Sequence, residues 1–214
     1  RKVKLVIDEW GNWHRGDSGP SRGYNLFEQQ STMRDAVVAA LTLNIFNNRC
    51  DVVDMANVAQ LCNNLHSLYL AGGEHFVQTP NYHVFDMYKG HQNAAHLETI
   101  VDAGSFERKG FGPLEAVSAS ASLKGEVLTV TLANLDLGAE KQVTLLGLGR
   151  ELRGSGTVTV LSHREPRTIN TFETPNAVTP VTTKARWLEG DPVVTLPAAG
   201  VVSLTLTLRK AAAQ

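Results

Sequence analysis

The sequence has little of several features that mark particular classes of protein. Of its 214 residues only Cys50 and Cys62 are cysteines, too few for a disulfide framework and at a spacing that fits no zinc pattern. We therefore expect two buried, reduced thiols. The longest apolar stretch, residues 36–46, is interrupted by Thr42 and Asn44 and is too short to span a membrane.

An excess of charge of one sign is also missing. The chain has 20 Lys and Arg against 21 Asp and Glu, which gives a net charge of −1. This balance predicts neither nucleic acid nor an anionic membrane surface as a partner. A hydrophobic share of 43% with 19% charged residues predicts that the chain buries a core of its own.

Three groups of residues look like known sites but fail on spacing or context. They are His83, His91 and His96, the glycines 147, 149, 154 and 156, and the segment 16–20 with the sequence Gly-Asp-Ser-Gly-Pro. The histidines fit no metal-binding pattern, the glycines do not form a nucleotide-binding loop, and the last segment lacks the other parts of a serine protease. No metal, nucleotide or flavin cofactor is implied, and we interpret the glycines as turns.

The first half of the chain shows the order strand, helix, strand, helix. Residues 3–8 are a short apolar run that predicts a strand buried on both faces, as in a parallel sheet, and residues 51–56 are predicted as a second short strand. A helix is expected from a cap at Asn25 to about residue 47, and a second helix over 59–70. The apolar stripes of these helices are Met33, Val37, Leu41 and Ile45 in the first and Leu61, Leu65 and Leu68 in the second.

The second half changes to a period of two. Apolar residues alternate with threonine and serine over 128–132 and 202–208, and turn signals such as Lys124-Gly125 and Gly154-Ser155-Gly156 separate such runs. This pattern predicts an antiparallel β-sandwich. We place the boundary between Leu97 and Pro113, which divides the chain into residues 1–100, of α/β type, and 101–214, of all-β type.

Carboxylates and indoles cluster where the first strand ends. Asp8, Glu9, Trp10 and Trp13 follow an apolar run. In α/β barrels the carboxyl ends of the strands face the active site, where a carboxylate can act as a nucleophile or base and an indole can stack on a sugar ring. The alternative is that the carboxylates are a solvated strand end and the tryptophans belong to the core.

Two amides follow the second predicted strand. Asn57 and Gln60 can donate to and accept from sugar hydroxyls. In a barrel they would lie beside Glu9 on the neighbouring strand. Taken alone, a helix cap for Asn57 and a surface position for Gln60 explain them as well.

Five segments in order resemble glycoside hydrolase family 51, the α-L-arabinofuranosidases. The resemblance is carried by Val6–Trp10 with Trp13, by Arg34–Ala36 with Ala39–Phe46, by Met55–Gln60, by Thr79–Tyr88 with His91-Gln92, and by Asn170–Glu173 with Pro175-Asn176, Val178 and Pro180. It implies the last two βα units of a (β/α)8 barrel, followed by a jelly-roll-like C-terminal β-sandwich.

The resemblance also implies roles for the candidate residues. Glu9 matches the nucleophile of a retaining, exo-acting α-L-arabinofuranosidase, Gln60 a residue that hydrogen-bonds the sugar, and Trp13 a residue that lines the pocket. Asn57 is a weaker candidate, and Trp10 fits a position behind the strand. The chain departs from many members at Gly11-Asn12 and at His14, which leaves the nucleophile in place.

The resemblance leaves the second carboxylate unaccounted for, because the acid/base residue of the family lies on an upstream strand. Two strands cannot close a barrel. We therefore interpret the chain as the C-terminal portion of a larger enzyme, whose N-terminal barrel portion is a required partner. The resemblance further implies a homo-oligomer that acts on arabinan, arabinoxylan or arabino-oligosaccharides.

Two other functions stay open. Family 51 also has members that act on β-1,4-glucans. A non-catalytic carbohydrate-binding module would explain the lack of a second carboxylate, although the sandwich half has only Trp187 and no row of aromatic residues. Balanced charge and reduced cysteines favour a cytoplasmic location, with secretion as the alternative.

Overall fold

The computed structural model describes residues 3–14, 29–149 and 151–209, and in them strands far outnumber helices. The elements of the first half are β1 (Leu5–Trp10), α1 (Met33–Asn48), β2 (Val53–Val58), β3 (Tyr69–Gly72), β4 (His75–Gln78), α2 (Pro80–Tyr88), a 3-10 turn (Lys89–His91) and β5 (Ala95–Leu97). The second half contains β6 (Ser105–Arg108), β7 (Phe111–Glu115), β8 (Val117–Lys124), β9 (Val127–Asn134), β10 (Lys141–Thr144), β11 (Gly154–Leu161), β12 (Val181–Lys184), β13 (Arg186–Leu188), β14 (Asp191–Leu196) and β15 (Val201–Leu208).

The first two strands form a parallel pair with α1 between them in the chain. β1 and β2 lie beside each other with Ile7 opposite Ala56. Each strand starts two residues later than predicted. The expected burial of the first strand on both faces is wrong, because Leu5 and Val6 are 59% and 53% exposed; Met55 of β2 is 55% exposed as well. Within the described residues this sheet has two strands and does not close into a barrel, so these apolar side chains lack neighbours.

Helix α1 begins later than the sequence predicts. Asn25, the expected cap, lies outside the described residues, and Thr32 is the observed N-cap. The Thr32 side chain accepts from the backbone N–H of Asp35, and the Asp35 carboxylate accepts from the backbone N–H of Thr32. This reciprocal pair satisfies two N–H groups that a helix start otherwise leaves unpaired.

The predicted apolar stripe of α1 is correct at one end only. Met33 and Val37 are buried, whereas Ile45 is 51% exposed. Residues four apart advance by about 400° around a helix, so a stripe with that spacing rotates by about 40° at each step. The face that is buried instead includes Ala36, Ala40 and Asn44.

The helix predicted over 59–70 is not formed. Asn63 and Leu65 have positive φ angles of 62° and 50°. The Asn63 side chain accepts from the backbone N–H of Ala71 at 2.7 Å and donates to its carbonyl at 2.8 Å. An asparagine that pairs with the backbone in this way replaces the hydrogen bonds of a helix. The second helix is α2, which follows the β3–β4 hairpin and is capped by Thr79.

The second half is a β-sandwich, as the alternating pattern predicts. A six-stranded antiparallel sheet has the order β12-β11-β15-β9-β8-β5, and a three-stranded sheet has the order β10-β14-β13. Leu128, Val130, Leu204 and Leu206 of the larger sheet and Leu196 of the smaller one belong to one buried cluster. Burial of these side chains is the main favourable term for the sandwich.

The other face of the six-stranded sheet packs on the two helices through polar groups. The Asn44 Oδ1 of α1 accepts from the hydroxyls of Ser120 at 2.9 Å and Thr131 at 2.8 Å. His91 makes hydrogen bonds to Ser122 and Thr131. The serines and threonines of the alternating pattern therefore form a buried interface between the helices and the sandwich.

Two smaller predictions are wrong in part. Cys50 is exposed and Cys62 half-buried, although both are free thiols as expected. Cys50 lies in the turn after α1, outside any packed face. Gly149 lies in a turn, as expected, whereas Gly154 and Gly156 lie inside β11. A β carbon at either of these two positions would collide with a carbonyl oxygen of β15, which explains the glycines.

Candidate active site

A small cavity lies at the carboxyl end of β1. Its volume is about 200 Å3, and it is lined by Glu9, Trp10, Gly11, Asn12, Trp13, Ala59 and Leu65. Glu9 is exposed, and the Trp13 side chain is 58% exposed. The structure thus brings two of the predicted site residues, a carboxylate and an indole, to one pocket. Among the described residues that line it, Glu9 alone carries a carboxylate.

Asn57 and Gln60 lie close to the end of the adjacent strand. Both are exposed, and neither is among the described residues that line the cavity. The backbone N–H of Ala59 donates to the carbonyl of Trp10 at 2.8 Å, which joins the ends of β1 and β2. Gln60 Oε1 accepts from Asn64 Nδ2 at 3.1 Å. Their contact with a sugar held beside Glu9 stays a prediction.

Trp10 packs against the core at the end of β1. Its ring lies 5.5 Å from Phe46 in an edge-on arrangement, 5.9 Å from Phe85 in a stacked one and 5.8 Å from His66. Trp10 is thus packed against the core, and it also forms part of the lining of the cavity beside Glu9. This packing agrees with the position that the resemblance implies for Trp10.

The loop that follows Glu9 is held by a buried carboxylate that sequence reasoning missed. Asp35 is fully buried in the first turn of α1. Its Oδ1 accepts from Asn12 Nδ2 at 2.9 Å and lies 2.7 Å from His14 Nε2. Its Oδ2 accepts from the Thr32 backbone N–H at 2.8 Å and the Thr32 hydroxyl at 2.6 Å. The Thr32-x-x-Asp35 spacing of a capping box was the available signal.

Burial and hydrogen bonding act in opposite directions on Asp35. Burial raises the pKa of its carboxyl, but hydrogen bonds from His14, Thr32 and Asn12 outweigh burial and lower the pKa to about 2. The group is therefore ionised at neutral pH. Because an ionised carboxylate only accepts hydrogen bonds, His14 Nε2 is the donor in its contact with Asp35.

A buried histidine lies beneath the same loop. A β carbon at Gly11 would be 2.6 Å from the Cβ of His66, so the loop passes over this ring without room for a side chain. Burial lowers the pKa of His66 to about 4, against an opposing effect of the Asp35 charge. His66 is therefore a neutral packing group below the pocket.

A segment of the sandwich reaches the elements of the first half. The Asn170 side chain, which is buried, donates to the carbonyls of Gln78 and Val178 at 2.9 Å and accepts from the Val178 backbone N–H at 2.7 Å. The backbone N–H of Met33 donates to the carbonyl of Thr168 at 3.0 Å. This segment, part of the family resemblance, therefore holds the β4 end and the start of α1.

The part of the chain that the structure describes contains no cluster of three or more His, Cys, Asp or Glu side chains suited to a metal ion. No helix within that part is long and apolar enough to cross a membrane. The segment 16–20, which resembles part of a protease motif, lies outside the described residues.

Comparison with known proteins defines the class to which this fold and pocket belong. A family model described as the α-L-arabinofuranosidase C-terminal domain matches residues 8–199. A crystal structure of the family GH51 arabinofuranosidase from Xanthomonas axonopodis pv. citri superimposes with a TM-score of 0.85 at 38% identity, over 95% of this chain and 41% of that chain. A family 51 α-L-arabinofuranosidase from Bifidobacterium longum shares the fold, with a TM-score of 0.82 at 23% identity, over 96% of this chain and 42% of that one.

A curated relative agrees with these matches. The chain is 35% identical over 208 residues to an intracellular exo-α-L-arabinofuranosidase from Bacteroides ovatus. The aligned region covers 96% of this chain and 40% of the relative. The chain therefore belongs to the α-L-arabinofuranosidases of glycoside hydrolase family 51. It spans about two fifths of the length of these relatives.

Proposed function

We propose that this chain is the C-terminal portion of a retaining α-L-arabinofuranosidase that removes terminal arabinofuranosyl residues from arabinan, arabinoxylan or arabino-oligosaccharides. The observation that carries the proposal is Glu9, an exposed carboxylate at the carboxyl end of a parallel strand, in one pocket with Trp13. Membership of the family and the named activity of the Bacteroides ovatus relative support the substrate class.

In this mechanism Glu9 attacks the anomeric carbon and forms a covalent arabinofuranosyl-enzyme. A second carboxylic acid protonates the leaving oxygen and then activates the water that releases arabinose, with net retention. Retention requires the two carboxyl groups about 5–5.5 Å apart. Since Glu9 is the one carboxylate among the described lining residues, the acid/base residue belongs to a partner segment of the barrel.

The same proposal assigns the architecture. Residues 1–100 contribute the last two βα units of a (β/α)8 barrel through β1, α1, β2 and α2, and residues 101–214 form the C-terminal sandwich. The parallel pairing of β1 with β2 supports this assignment, as do the exposed apolar side chains of Leu5, Val6 and Met55, which fit a contact with further strands.

Trp13, Gln60 and Asn57 bind the sugar in this proposal. Trp13 offers an indole face at the pocket, and the two amides offer hydrogen bonds from the end of β2. The assembly is a homo-oligomer, and its location is intracellular, as the name of the Bacteroides ovatus relative supports.

The test is Glu9→Gln in the complete enzyme that contains this chain, with an aryl α-L-arabinofuranoside as substrate. We expect kcat to fall by about 10³-fold or more, as for other nucleophiles of covalent catalysis. The matched control is Asp8→Asn, an exposed carboxylate on the preceding residue, which should leave kcat within about 2-fold because Asp8 is not among the described residues that line the cavity. Turnover by Glu9→Gln at the wild-type rate would contradict the assignment of Glu9 as the nucleophile.

A panel of substrates separates arabinofuranosides from β-1,4-glucans. We expect release of arabinose and no cleavage of cello-oligosaccharides, since the Bacteroides ovatus relative is named for the former activity. A purely carbohydrate-binding role receives little support from the sandwich. Its Trp187 packs against the core and donates from Nε1 to the Leu152 carbonyl at 3.0 Å, so it does not present a free sugar platform.

A further inference from the structure

We propose that Asp35 is a positioning residue for the pocket, whose carboxylate anchors the loop that carries Trp13 through Asn12 and His14. The inference rests on the proposed function, because it describes how the Glu9 pocket keeps its shape. Asp35 lies outside the residues that line the pocket. It therefore acts through the loop and does not touch the sugar.

The geometry places an anchor on each side of Trp13. Asp35 Oδ1 accepts from the side chain of Asn12 at 2.9 Å and from that of His14 at 2.7 Å. The main chain of these two residues is held as well, by a second buried side chain. Gln29 Oε1 accepts from the His14 N–H at 2.6 Å, and Gln29 Nε2 donates to the Asn12 carbonyl at 2.8 Å.

The Trp13 side chain is 58% exposed at the pocket, so the backbone on either side of it helps to set where the indole lies. A binding site needs side chains held close to the productive geometry, and the rigid elements behind it supply that precision. Clamping both neighbours of Trp13 to α1 therefore orients the indole beside Glu9 before a sugar arrives.

The two carboxylate oxygens of Asp35 make hydrogen bonds to different parts of the chain. Oδ2 bonds with Thr32 and completes the start of α1, whereas Oδ1 holds the loop. The helix is itself fixed, since its buried residues pack in one core with the sandwich residues Leu161 and Val201. The loop is thus tied to a helix that packs in the core, and the ionised carboxylate makes each of these hydrogen bonds charge-assisted.

Asp35 Oδ1 holds the loop and Asp35 Oδ2 holds the start of the helix. Substituting the residues that bond to each oxygen therefore tests the positioning of the loop separately from the stability of the helix. In the complete enzyme, His14→Leu removes a donor to Oδ1, whereas His14→Gln keeps one. Thr32→Val removes the hydroxyl bond to Oδ2 and leaves the loop contacts in place. These variants avoid Asp35→Asn, in which an amide would face four donors and the chain could fail to fold.

We expect His14→Leu to lower kcat/KM for an aryl α-L-arabinofuranoside by about 10- to 100-fold, the effect of a small misplacement in an active site. His14→Gln should restore most of this loss. Thr32→Val should lower the midpoint of thermal unfolding with kcat/KM within about 2-fold of wild type. A structural readout accompanies the kinetics: in protein labelled with 5-fluorotryptophan, the 19F resonance of Trp13 should shift or broaden in His14→Leu and not in Thr32→Val.

The outcomes distinguish the two proposals. If Glu9→Gln is inactive while His14→Leu keeps wild-type kcat/KM and an unchanged Trp13 resonance, the anchor is refuted and the proposed function stands. If Glu9→Gln is as active as wild type, the proposed function fails, and the Trp13 resonance alone decides whether Asp35 holds the loop. Equal losses of activity in His14→Leu and Thr32→Val would also refute the anchor, because a general loss of structure explains them.

Discussion

His66 is the residue whose environment makes the clearest prediction about pH. Both ring nitrogens are buried and find no hydrogen-bond partner among the described residues. Burial lowers its pKa from 6.5 to about 4, so the unfolded chain takes up a proton more readily than the folded protein between these values. The stability that a neutral His66 contributes is therefore complete above about pH 6.5 and declines as the pH falls toward 4.

We expect His66→Phe to flatten this decline. Between pH 7 and 4.5 the free energy of unfolding of the wild type should fall by roughly 2 kcal/mol more than that of the variant. Chemical denaturation at several pH values measures the difference, with His96→Gln as the control because His96 is exposed. Parallel pH profiles for wild type and His66→Phe would contradict the prediction.

Some residues of the pocket and of its loop could be predicted from the sequence and others could not, for a physical reason. Glu9 and Trp13 could be predicted from the sequence because the active sites of α/β barrels lie at the carboxyl ends of strands. One short segment at such a strand end carries both residues. Asp35 and Gln29 are separated from their loop partners by 23 and 17 positions, and their roles exist only after the helix has docked. Whether Asn57 and Gln60 bind sugar is still a prediction.

Among the elements, the pairing of β11 with β15 depends on glycine. These strands pair along their whole length, and a β carbon at Gly156 would lie 2.1 Å from the Thr205 carbonyl oxygen and 2.6 Å from the Leu206 side chain. Gly156→Ala should therefore destabilise the protein by about 1–3 kcal/mol, the typical effect of overpacking. Gly112→Ala is the control, since no atom lies within 4 Å of its β carbon. Equal unfolding free energies for the two variants would contradict this account.

The interface between α1 and the six-stranded sheet depends on Asn44. Its side chain makes hydrogen bonds to Ser118, Ser120 and Thr131, and removing it leaves buried hydroxyls short of a partner. Asn44→Ala should lower the free energy of unfolding by about 2 kcal/mol. Thr42→Ala on the same helix removes a hydrogen bond from the Thr42 hydroxyl to the Val38 carbonyl and should change the free energy of unfolding by less than about 0.5 kcal/mol. Denaturant titration of both variants tests the contrast.

At the scale of elements, strands were predicted better than helices. The period of two in 128–132 and 202–208 places both strands correctly, because alternation and hairpin turns are local signals. The helix predicted over 59–70 is not formed, because the Asn63 side chain makes hydrogen bonds to the backbone of Ala71. The spacing of leucines, on which the prediction rests, carries no information about such bonds. The burial of the serine and threonine face of the sheet could not be predicted from the strand pattern alone, because it depends on the helices that cover this face.

At the scale of the whole molecule, the two halves are joined through one core and one polar interface, while β1 and β2 present apolar side chains outward. Ala36 and Val84 of the helices share a buried cluster with Ala133 and Val201 of the sandwich. Leu5, Val6 and Met55 remain more than half exposed. Val6 and Met55 are neighbours across the two strands, and an exposed apolar patch of this kind is typical of a surface that another part of a protein covers.

Substitution of Met55 tests whether further barrel strands cover this patch. In the chain of 214 residues, Met55→Lys should change the free energy of unfolding by less than about 0.5 kcal/mol, because the side chain is 55% exposed. In the complete enzyme the same substitution should cost about 3 kcal/mol or more, since it would bury an unpaired charge between strands. Leu148→Lys, at a side chain 86% exposed in the sandwich, should be tolerated in both proteins. If Met55→Lys is tolerated equally in both, the patch lies open in the whole enzyme and β1 and β2 do not continue into a closed barrel.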